Sequence, residues 1–213
     1  MAKFLCKNIL QDGNSLVELE QYRSLSYLYL DGYFQSETYF KNIRSQLLLE
    51  LKFPELDQEN DILKNMISES ENAVSIHIRR GDYIRSEVIS QVHGVLPTEY
   101  YQKALDILQS TYSRLDLFLF SDEIDWVKTN FRWNNSKIHY VESNHGPDSW
   151  KDMALMIHCK HHVIANSSFS WWGAWLSERQ GEVFAPINWF NSNKVSFQIK
   201  DFIPVTWTIV HYD

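Results

Sequence analysis

The chain has 213 residues, of which 44% are hydrophobic and 22% are charged, and its net charge at pH 7 is −7. This composition is typical of a globular protein, and the acidic balance argues against a general nucleic-acid binder, which would present a basic surface. The two cysteines, Cys6 and Cys159, lie too far apart to form a disulfide framework, and no stretch is apolar enough for a membrane span or a signal peptide. We therefore expect a cytoplasmic protein.

Residues 1–70 show no regular alternation of strands and helices. A turn or a short extended piece is expected at Asp31 and Gly32, and a helix is expected from near Ser36 to a point before Pro54. The acidic stretch ELDQENDILKNMISESEN that follows predicts a loop and a surface helix. Residues 1–70 are therefore predicted to form a mostly helical segment.

From residue 73 onward, strand patterns alternate with helix patterns. The predicted strands are AVSIHIR, RLDLFLF, KIHYVE, HHVIANS and EVFAP, with VTWTIV as a candidate for one more strand at an edge. The helices between them are PTEYYQKALDILQS, SDEIDWVKTNF, DSWKDMALMIHC and FSWWGAWLSER, whose tryptophans are expected to pack into the core. Ser149 and Asp152 have the spacing of a capping box. This alternation predicts an α/β fold with a parallel sheet that helices cover on both faces.

The predicted sheet brings three polar loops together. Ligands of open α/β sheets bind at the carboxyl ends of the strands, which places residues 79–82 beside residues 121–122 and 166–168. Two of these residues, Arg79 and Arg80, are neighbours and point to opposite faces unless the strand has ended before them. A guanidinium suits phosphate oxygens, so one arginine could hold a pyrophosphate while the other pairs with Asp82. A purely structural ion pair at the strand end is the alternative.

The other two loops also leave two interpretations open. Asn166, Ser167 and Ser168 lie between a predicted strand and a predicted helix, and all three are residue types that cap helices. A helix start offers free N–H groups to a phosphate, but these residues could equally be a plain cap. Asp122 follows a predicted strand, where it could accept hydrogen bonds from a ribose or a guanine, or cap the following helix.

Several common catalytic patterns are absent from the sequence. The cluster HCKHH at residues 158–162 does not match the ligand spacing of zinc sites, and it spans a predicted helix end and strand start. The chain contains no Asp-x-Asp pair, no Walker lysine loop and no G-x-G-x-x-G motif. These absences argue against a metal-bridged diphosphate, nucleotide triphosphate hydrolysis and dinucleotide redox chemistry.

Four motifs together resemble the bacterial α-1,2-fucosyltransferases of glycosyltransferase family 11. They are HIRRGDY, FSDE, DMALMIHCKHHVIANSSFSWWGAWL and LDGYFQSETYF. The resemblance implies a two-domain GT-B-type fold, with residues 71–213 as the Rossmann-like half that binds GDP-fucose and residues 1–70 as a remnant of the acceptor-side domain. It implies inverting transfer of L-fucose from GDP-β-L-fucose to the 2-OH of a galactoside, in glycan or O-antigen synthesis, without a metal or another cofactor.

The resemblance also implies roles for the residues of the three loops. Arg79 and Arg80 would engage the diphosphate and support the departure of GDP, and His77 with Asp122 would contact guanine. Asn166, Ser167 and Ser168 would lie near the phosphates. Asp82 is the first candidate for the base that takes the acceptor proton, unless it is tied to an arginine, and Glu87 is the second.

The implied partners are a nucleotide-sugar donor and a glycan acceptor, with no nucleic acid. A lipid-linked acceptor would bring the protein to a membrane surface, and a homodimer is a further expectation. Family members normally open with a glycine-rich segment similar to GGLGNQMFQYA, which this chain does not contain. Two alternatives therefore stay open: a catalytically incomplete remnant that binds GDP or no nucleotide, and a transferase that uses another nucleotide sugar.

Overall fold

The N-terminal part of the fold combines a pair of strands with short helices. The structure is a computed structural model that describes residues 6–11, 16–133, 136–191 and 198–212. Strands β1 (Cys6–Leu10) and β2 (Tyr27–Asp31) pair in parallel. Two single 3-10 turns, Glu37–Tyr39 and Lys41–Ile43, follow β2. Helices α1 (Arg44–Glu50) and α2 (Gln58–Glu69) come next.

The segment was expected to be mostly helical, with a turn or short extended piece at Asp31 and Gly32, and the pairing of β1 with β2 was not predicted. All five residues of β2 are exposed, so the strand lacks the alternation of buried and exposed residues that reveals a strand in a sequence. The helix expected from near Ser36 is divided into 3-10 turns and α1, whereas the predicted surface helix is confirmed as α2. The division of the chain at residue 70 stays a prediction.

A six-stranded parallel sheet forms the centre of residues 71–212, within the part that the structure describes. Its strands are β3 (Ala73–Ile78), β4 (Asp116–Ser121), β5 (Lys137–Val141), β6 (His161–Val163), β7 (Val183–Pro186) and β8 (Thr208–Val210). They lie in the order β5-β4-β3-β6-β7-β8, and every neighbouring pair is parallel. All five predicted strands and the candidate edge strand are present.

Helices connect the strands and cover both faces of the sheet. They are α3 (Gly81–Arg85), α4 (Glu87–His93), α5 (Thr98–Thr111), α6 (Ile124–Asn130), α7 (Trp150–Met156), α8 (Ser168–Trp175) and α9 (Ile199–Phe202). Among the helices of the described residues, none combines the length and the apolar character that crossing a membrane requires.

The core lies on both sides of the sheet, as strand β4 shows. Leu117 and Leu119 belong to the cluster that packs on α5, whereas Phe118 and Phe120 belong to a cluster on the opposite face with residues of α2 and α7. Because successive side chains point to opposite faces, burial on both faces requires the nearly continuous apolar run LFLF. The predicted parallel sheet between helices is therefore confirmed.

The strand order fixes where a ligand can bind. Numbered within the sheet, the order is 3-2-1-4-5-6, which is the order of the Rossmann fold. The chain reverses its direction of winding between β3 and β6, and the crevice outside the carboxyl ends of these two strands is the usual ligand position. Residues 79–82 follow β3 and residues 164–168 follow β6, so both loops lie at this switch point.

Candidate functional site

The arginine pair lies in a turn rather than in a strand. Strand β3 ends at Ile78 and α3 begins at Gly81, so Arg79 and Arg80 are free of the strict alternation of a strand. Their side chains nevertheless take different surroundings. The two arginines therefore have different chemistry, although they are adjacent in the sequence.

Arg79 is held by two carboxylates. Its Nε lies 2.9 Å from Oδ1 of Asp82, and its Nη1 lies 3.3 Å from Oδ2 of Asp122. Burial alone would lower the pKa of Arg79, but the hydrogen bond to Asp82 and the charge of Asp122 together raise it. The ion pair that the sequence allowed thus forms at Arg79, and it involves Asp82, the first candidate for the base.

Arg80 stacks on an aromatic ring instead. The carbon of its guanidinium lies 3.3 Å from the centre of the Trp126 ring, which belongs to α6. Within the described residues, no carboxylate comes within ion-pair distance of Arg80, and its Nε has no hydrogen-bonding partner. Burial lowers the pKa of Arg80 from its usual value, although the group stays charged. Arg80 is thus the arginine of the pair whose charge is not already neutralised.

Asp122 occupies the start of α3. Its Oδ1 accepts a hydrogen bond from the N–H of Arg80 and its Oδ2 accepts one from the N–H of Gly81, both at 3.0 Å. A Cβ at position 81 would lie 2.7 Å from Oδ2 of Asp122, so the close approach requires glycine. The sequence allowed Asp122 to cap the following helix, but the structure shows that it caps α3, which precedes it in the chain.

His77 packs towards α8, whereas Arg80 packs on α6. Its ring lies 5.6 Å from that of Phe169, near the start of α8, and its Nδ1 has no hydrogen-bonding partner within the described residues. Burial, together with the charge of Arg79, lowers the pKa of His77 to about 4. The imidazole is therefore neutral near pH 7 and can act as a donor or an acceptor towards a ligand.

The three residues before and at the start of α8 have different roles in the structure. The Nδ2 of Asn166 donates to the carbonyls of His93 at 2.9 Å and Gly94 at 3.2 Å, which ties β6 to the α4–α5 connection. The hydroxyl of Ser167 accepts from the N–H of Phe169 at 3.3 Å and so caps α8. Ser168 is exposed, and its hydroxyl makes no hydrogen bond to any residue that the structure describes.

The remaining predicted residue and one unpredicted residue lie nearby. Glu87, the second candidate for the base, is the first residue of α4 and is exposed. The hydroxyl of Tyr83 donates to the carbonyl of Asn166 at 2.8 Å and joins the two loops of the switch point. Burial raises the pKa of Tyr83 to about 12. Tyr83 follows the arginine motif directly, but its sequence position gives no sign of this contact.

A second unpredicted group lies at the start of α7. The Nδ2 of Asn144 donates to Oδ1 of Asp152 and to Oδ1 of Asn60, both at 2.8 Å. Burial raises the pKa of Asp152 to about 7. The capping box predicted for Ser149 and Asp152 is wrong, because Ser149 is itself helical and its side chain makes no capping bond. The spacing of the predicted capping box singled out Asp152, but its partner is Asn144, which in turn bonds to Asn60, 84 positions away in the chain.

The histidine-rich segment does not gather into a metal site. In the described ranges, no three side chains of His, Cys, Asp or Glu come together in a way that could hold a metal ion. Cys159 is buried, and burial raises the pKa of its thiol. His161 and His162 belong to β6, where burial lowers the pKa of His161 to about 4 and that of His162 to about 3.

Similarity to known proteins identifies the family. The profile of the family described as Glycosyl transferase family 11 matches residues 3–211. The chain belongs to glycosyltransferase family 11. The match covers both the N-terminal segment and the sheet, so the family resemblance of the sequence motifs is confirmed.

Relatives in the family are bacterial and mammalian. The O-antigen biosynthesis glycosyltransferase WbnK of Escherichia coli is 38% identical over 172 residues, which are 78% of this chain and 57% of that protein. The alpha-1,2-colitosyltransferase of Escherichia coli is 35% identical, with the same coverage of 78% and 57%. The galactoside 2-alpha-L-fucosyltransferase SEC1 of Bos taurus is 29% identical, over 74% of this chain and 45% of that protein. The chain thus spans about half the length of these relatives.

Proposed function

We propose that this chain is the donor-binding part of an inverting α-1,2-fucosyltransferase that uses GDP-β-L-fucose and a galactoside acceptor. The family supplies the class of enzyme. The observation that carries the donor is that the turn with Arg79 and Arg80 follows β3 and the exposed start of α8 follows β6, so both lie at the switch point of the sheet. Guanidinium groups and helix N–H groups are the protein groups best suited to a diphosphate.

The diphosphate is proposed to lie between the arginine turn and Ser168. Arg80 brings a positive charge that no carboxylate of the described residues neutralises, and the start of α8 brings N–H groups and a positive dipole. As the bond between the anomeric carbon and the phosphate oxygen breaks, negative charge develops on GDP. These groups would stabilise that charge without a metal ion once Arg80 has turned from Trp126 towards the start of α8.

The acceptor side of the reaction needs a base. The 2-OH of a galactose attacks the anomeric carbon of fucose, the new C–O bond forms as GDP leaves, and the hydroxyl proton passes to a carboxylate. Asp82 lies in the same turn and is the proposed base once it has left its ion pair with Arg79, and Glu87 is the second choice. His77 stays the proposed guanine contact. Asp122 would have to leave the N–H groups of Arg80 and Gly81 to reach a guanine.

Calorimetric titration tests the donor site directly. The chain is titrated with GDP, GDP-fucose, UDP and ADP, and the experiment is repeated with Arg80→Ala. We expect guanine-selective binding that weakens at least about tenfold in the variant, since one charged hydrogen bond contributes roughly 1.5–3 kcal/mol. Arg85→Ala is the matched control, because Arg85 is 72% exposed and pairs with Glu123 outside the turn. Equal affinity for all nucleotides, or no binding, would contradict the proposal.

A different donor sugar is the second candidate. One relative is named an alpha-1,2-colitosyltransferase and is 35% identical to this chain, more than the bovine fucosyltransferase at 29%. The same nucleotide site could therefore serve GDP-colitose. Turnover of GDP-fucose and GDP-colitose with a galactoside acceptor, measured side by side, distinguishes the two. GDP binding without turnover of either donor would favour the catalytically incomplete alternative.

The acceptor and the assembly are proposals as well. The name of WbnK refers to O-antigen biosynthesis, which supports a galactoside of a glycan or an O antigen as acceptor. A lipid-linked acceptor would hold the protein at a membrane surface. The exposed side chains of Tyr27, Leu28, Tyr29 and Leu30 on β2 support a homodimer, which sedimentation of the chain would detect.

A further inference from the structure

A cavity at the carboxyl edge of the sheet belongs to none of the roles proposed above. It lies between the connection from α4 to α5 on one side and the segments that follow β7 and β8 on the other, and it is open to solvent. Its volume is about 310 Å³, at the lower end of the range of about 300–1,000 Å³ that small-molecule sites occupy. The cavity therefore has room for a sugar-sized ring.

The lining of the cavity is polar but carries no full charge. Its polar side chains are those of His93, Asn188, Asn191 and Tyr212, and no Asp, Glu, Lys or Arg of the described residues lines it. Burial lowers the pKa of His93 below its usual value, so its imidazole is neutral near pH 7. Amides, a neutral imidazole and a phenol can each donate or accept a hydrogen bond. This chemistry suits a neutral ligand with several hydroxyl groups, whereas a phosphate would find no cation there.

His93 borders both the cavity and the arginine turn. Its ring is stacked on that of Tyr83, with the ring centres 5.0 Å apart and the planes at 19°, and Tyr83 directly follows Asp82. The charge of Asp82 acts on the His93 ring and partly offsets the effect of burial on its pKa. The Nδ1 of His93 makes no hydrogen bond within the described residues. His93 thus has hydrogen-bonding capacity that its neighbours leave unused.

Hydrogen bonds hold both walls of the cavity beside the start of α8. The Nδ2 of Asn166, two residues before Ser168, donates to the carbonyl of His93 at 2.9 Å. The N–H of Asn191 donates to the carbonyl of Val92 at 2.7 Å, which joins the segment after β7 to the end of α4. The cavity is therefore fixed to the loop that leads into the proposed diphosphate position.

We propose that this cavity binds the galactoside acceptor. The inference rests on the proposed function, which supplies the acceptor and the position of the diphosphate. The acceptor hydroxyl attacks the anomeric carbon, which is joined directly to the second phosphate. The acceptor must therefore lie next to the diphosphate, but it does not need the cations that hold it. The cavity meets both conditions, because it adjoins the loop before α8 and no charged side chain of the described residues lines it. A galactoside there would also lie beside α3, which carries Asp82, the proposed base.

NMR titration tests the cavity with a minimal acceptor. Methyl β-D-galactoside is added to the chain in the presence of saturating GDP, and the shifts of the amide signals give its dissociation constant. We expect His93→Ala to weaken the binding of the galactoside about two- to tenfold, the effect of one hydrogen bond. Val95→Phe adds a ring to the lining of the cavity and should weaken it at least about fivefold.

The affinity for GDP, measured by calorimetry, should stay unchanged in both variants, which also shows that they are folded. Val205→Phe is the matched control for the added ring, because Val205 is 92% exposed and lies outside the cavity. It should bind the galactoside and GDP as the unaltered chain does.

Three other results would count against the inference. Unchanged galactoside binding in both cavity variants would overturn it. So would an equal loss of affinity for GDP and the galactoside in variants with an unaltered Tm, which would assign the cavity to the nucleotide. If the unaltered chain binds GDP but not the galactoside, the inference fails while the proposed donor site stands. If the chain does not bind GDP at all, the proposed function fails together with this inference.

Discussion

Asp122 is predicted to hold the start of α3 and the guanidinium of Arg79, and not to contact guanine. Its two oxygens accept the N–H groups of Arg80 and Gly81 at 3.0 Å, and one of them also lies 3.3 Å from Arg79. Loss of a helix cap costs roughly 0.5–2 kcal/mol, and a hydrogen bond to a charged group contributes roughly 1.5–3 kcal/mol. The ion pair adds at most about 1 kcal/mol, because both side chains are partly exposed.

These contributions give an expected loss of about 2–4 kcal/mol in the free energy of unfolding for Asp122→Ala, since the freed N–H groups regain water. Asp122→Asn keeps one acceptor oxygen but turns an NH₂ group towards an N–H donor, so we expect a loss of about 1–2 kcal/mol. Urea denaturation measures both. Asp125→Asn is the matched control, because Asp125 lies three residues further on, in the first turn of α6, with its side chain 98% exposed.

A comparison of two nucleotides distinguishes a structural role of Asp122 from a contact with guanine. IDP differs from GDP only in lacking the amino group that a guanine-binding carboxylate would accept from. We expect Asp122→Asn to keep the preference of the chain for GDP over IDP, while its affinity for both diphosphates changes together through Arg79. Unchanged stability of Asp122→Asn combined with a lost preference for GDP would refute this reasoning and restore the role in guanine binding.

Three further predictions follow from the same part of the structure. Burial raises the pKa of Asp152 to about 7 from its unfolded value of 3.8, so the unfolded state ionises first as the pH rises. The unaltered chain therefore loses stability between about pH 4 and 7, whereas Asp152→Asn does not. In urea denaturation, the free energy of unfolding of Asp152→Asn relative to that of the unaltered chain should rise by up to about 4 kcal/mol from pH 4 to pH 7.5. A difference that does not change with pH would contradict this. Gly81→Ala places a Cβ 2.7 Å from the Asp122 carboxylate and should lower the Tm by about 4–10 °C, more than Gly173→Ala, whose Cβ meets only Met156 at 3.1 Å. Because the Arg80 guanidinium lies 3.3 Å from the centre of the Trp126 ring, Trp126→Leu and Arg80→Ala should show a coupling energy of about 0.5–2 kcal/mol in a double-mutant cycle of urea denaturation. Additive losses would exclude the interaction.

The sheet could be predicted from the sequence because its residues have only one suitable environment. Runs such as LFLF must be covered on both faces, and the helix PTEYYQKALDILQS carries its buried face at a helical spacing, with Tyr101, Ala104 and Leu105 fully or almost fully buried. The exposed strand β2 could not be predicted in the same way, because no burial pattern marks it. Strand patterns are visible in a sequence when packing imposes them, and β2 packs too little for that.

The candidate site could be predicted in its location but not in its pairings. Because ligands of open α/β sheets bind at the carboxyl ends of the strands, Arg79, Asp122 and Ser168 were expected at one edge of the sheet, and the structure places them there. Which arginine pairs with a carboxylate, and which helix a carboxylate caps, depends on side-chain directions that no spacing encodes. Tyr83 and Asn166, joined by a hydrogen bond across the switch point, are 83 positions apart in the chain. Such contacts are a property of the fold and leave no local signal.

The position of Asp122 also bears on where the proposed diphosphate would lie in a Rossmann-type sheet without a glycine-rich turn. In a dinucleotide-binding fold, the helix after the first strand receives the pyrophosphate at its start, and the glycines allow the close approach. In this chain that helix is α3, which has five residues, and its first N–H groups already hold a carboxylate. A phosphate placed there would be repelled by Asp122. The diphosphate is therefore expected at the other helix start of the switch point, at α8, where Ser168 is exposed, and Arg80 must reach it from across β3. Ser168→Asp should abolish GDP binding by adding a like charge at the site, whereas Ser168→Asn, which adds a side chain of nearly the same size without the charge, should not.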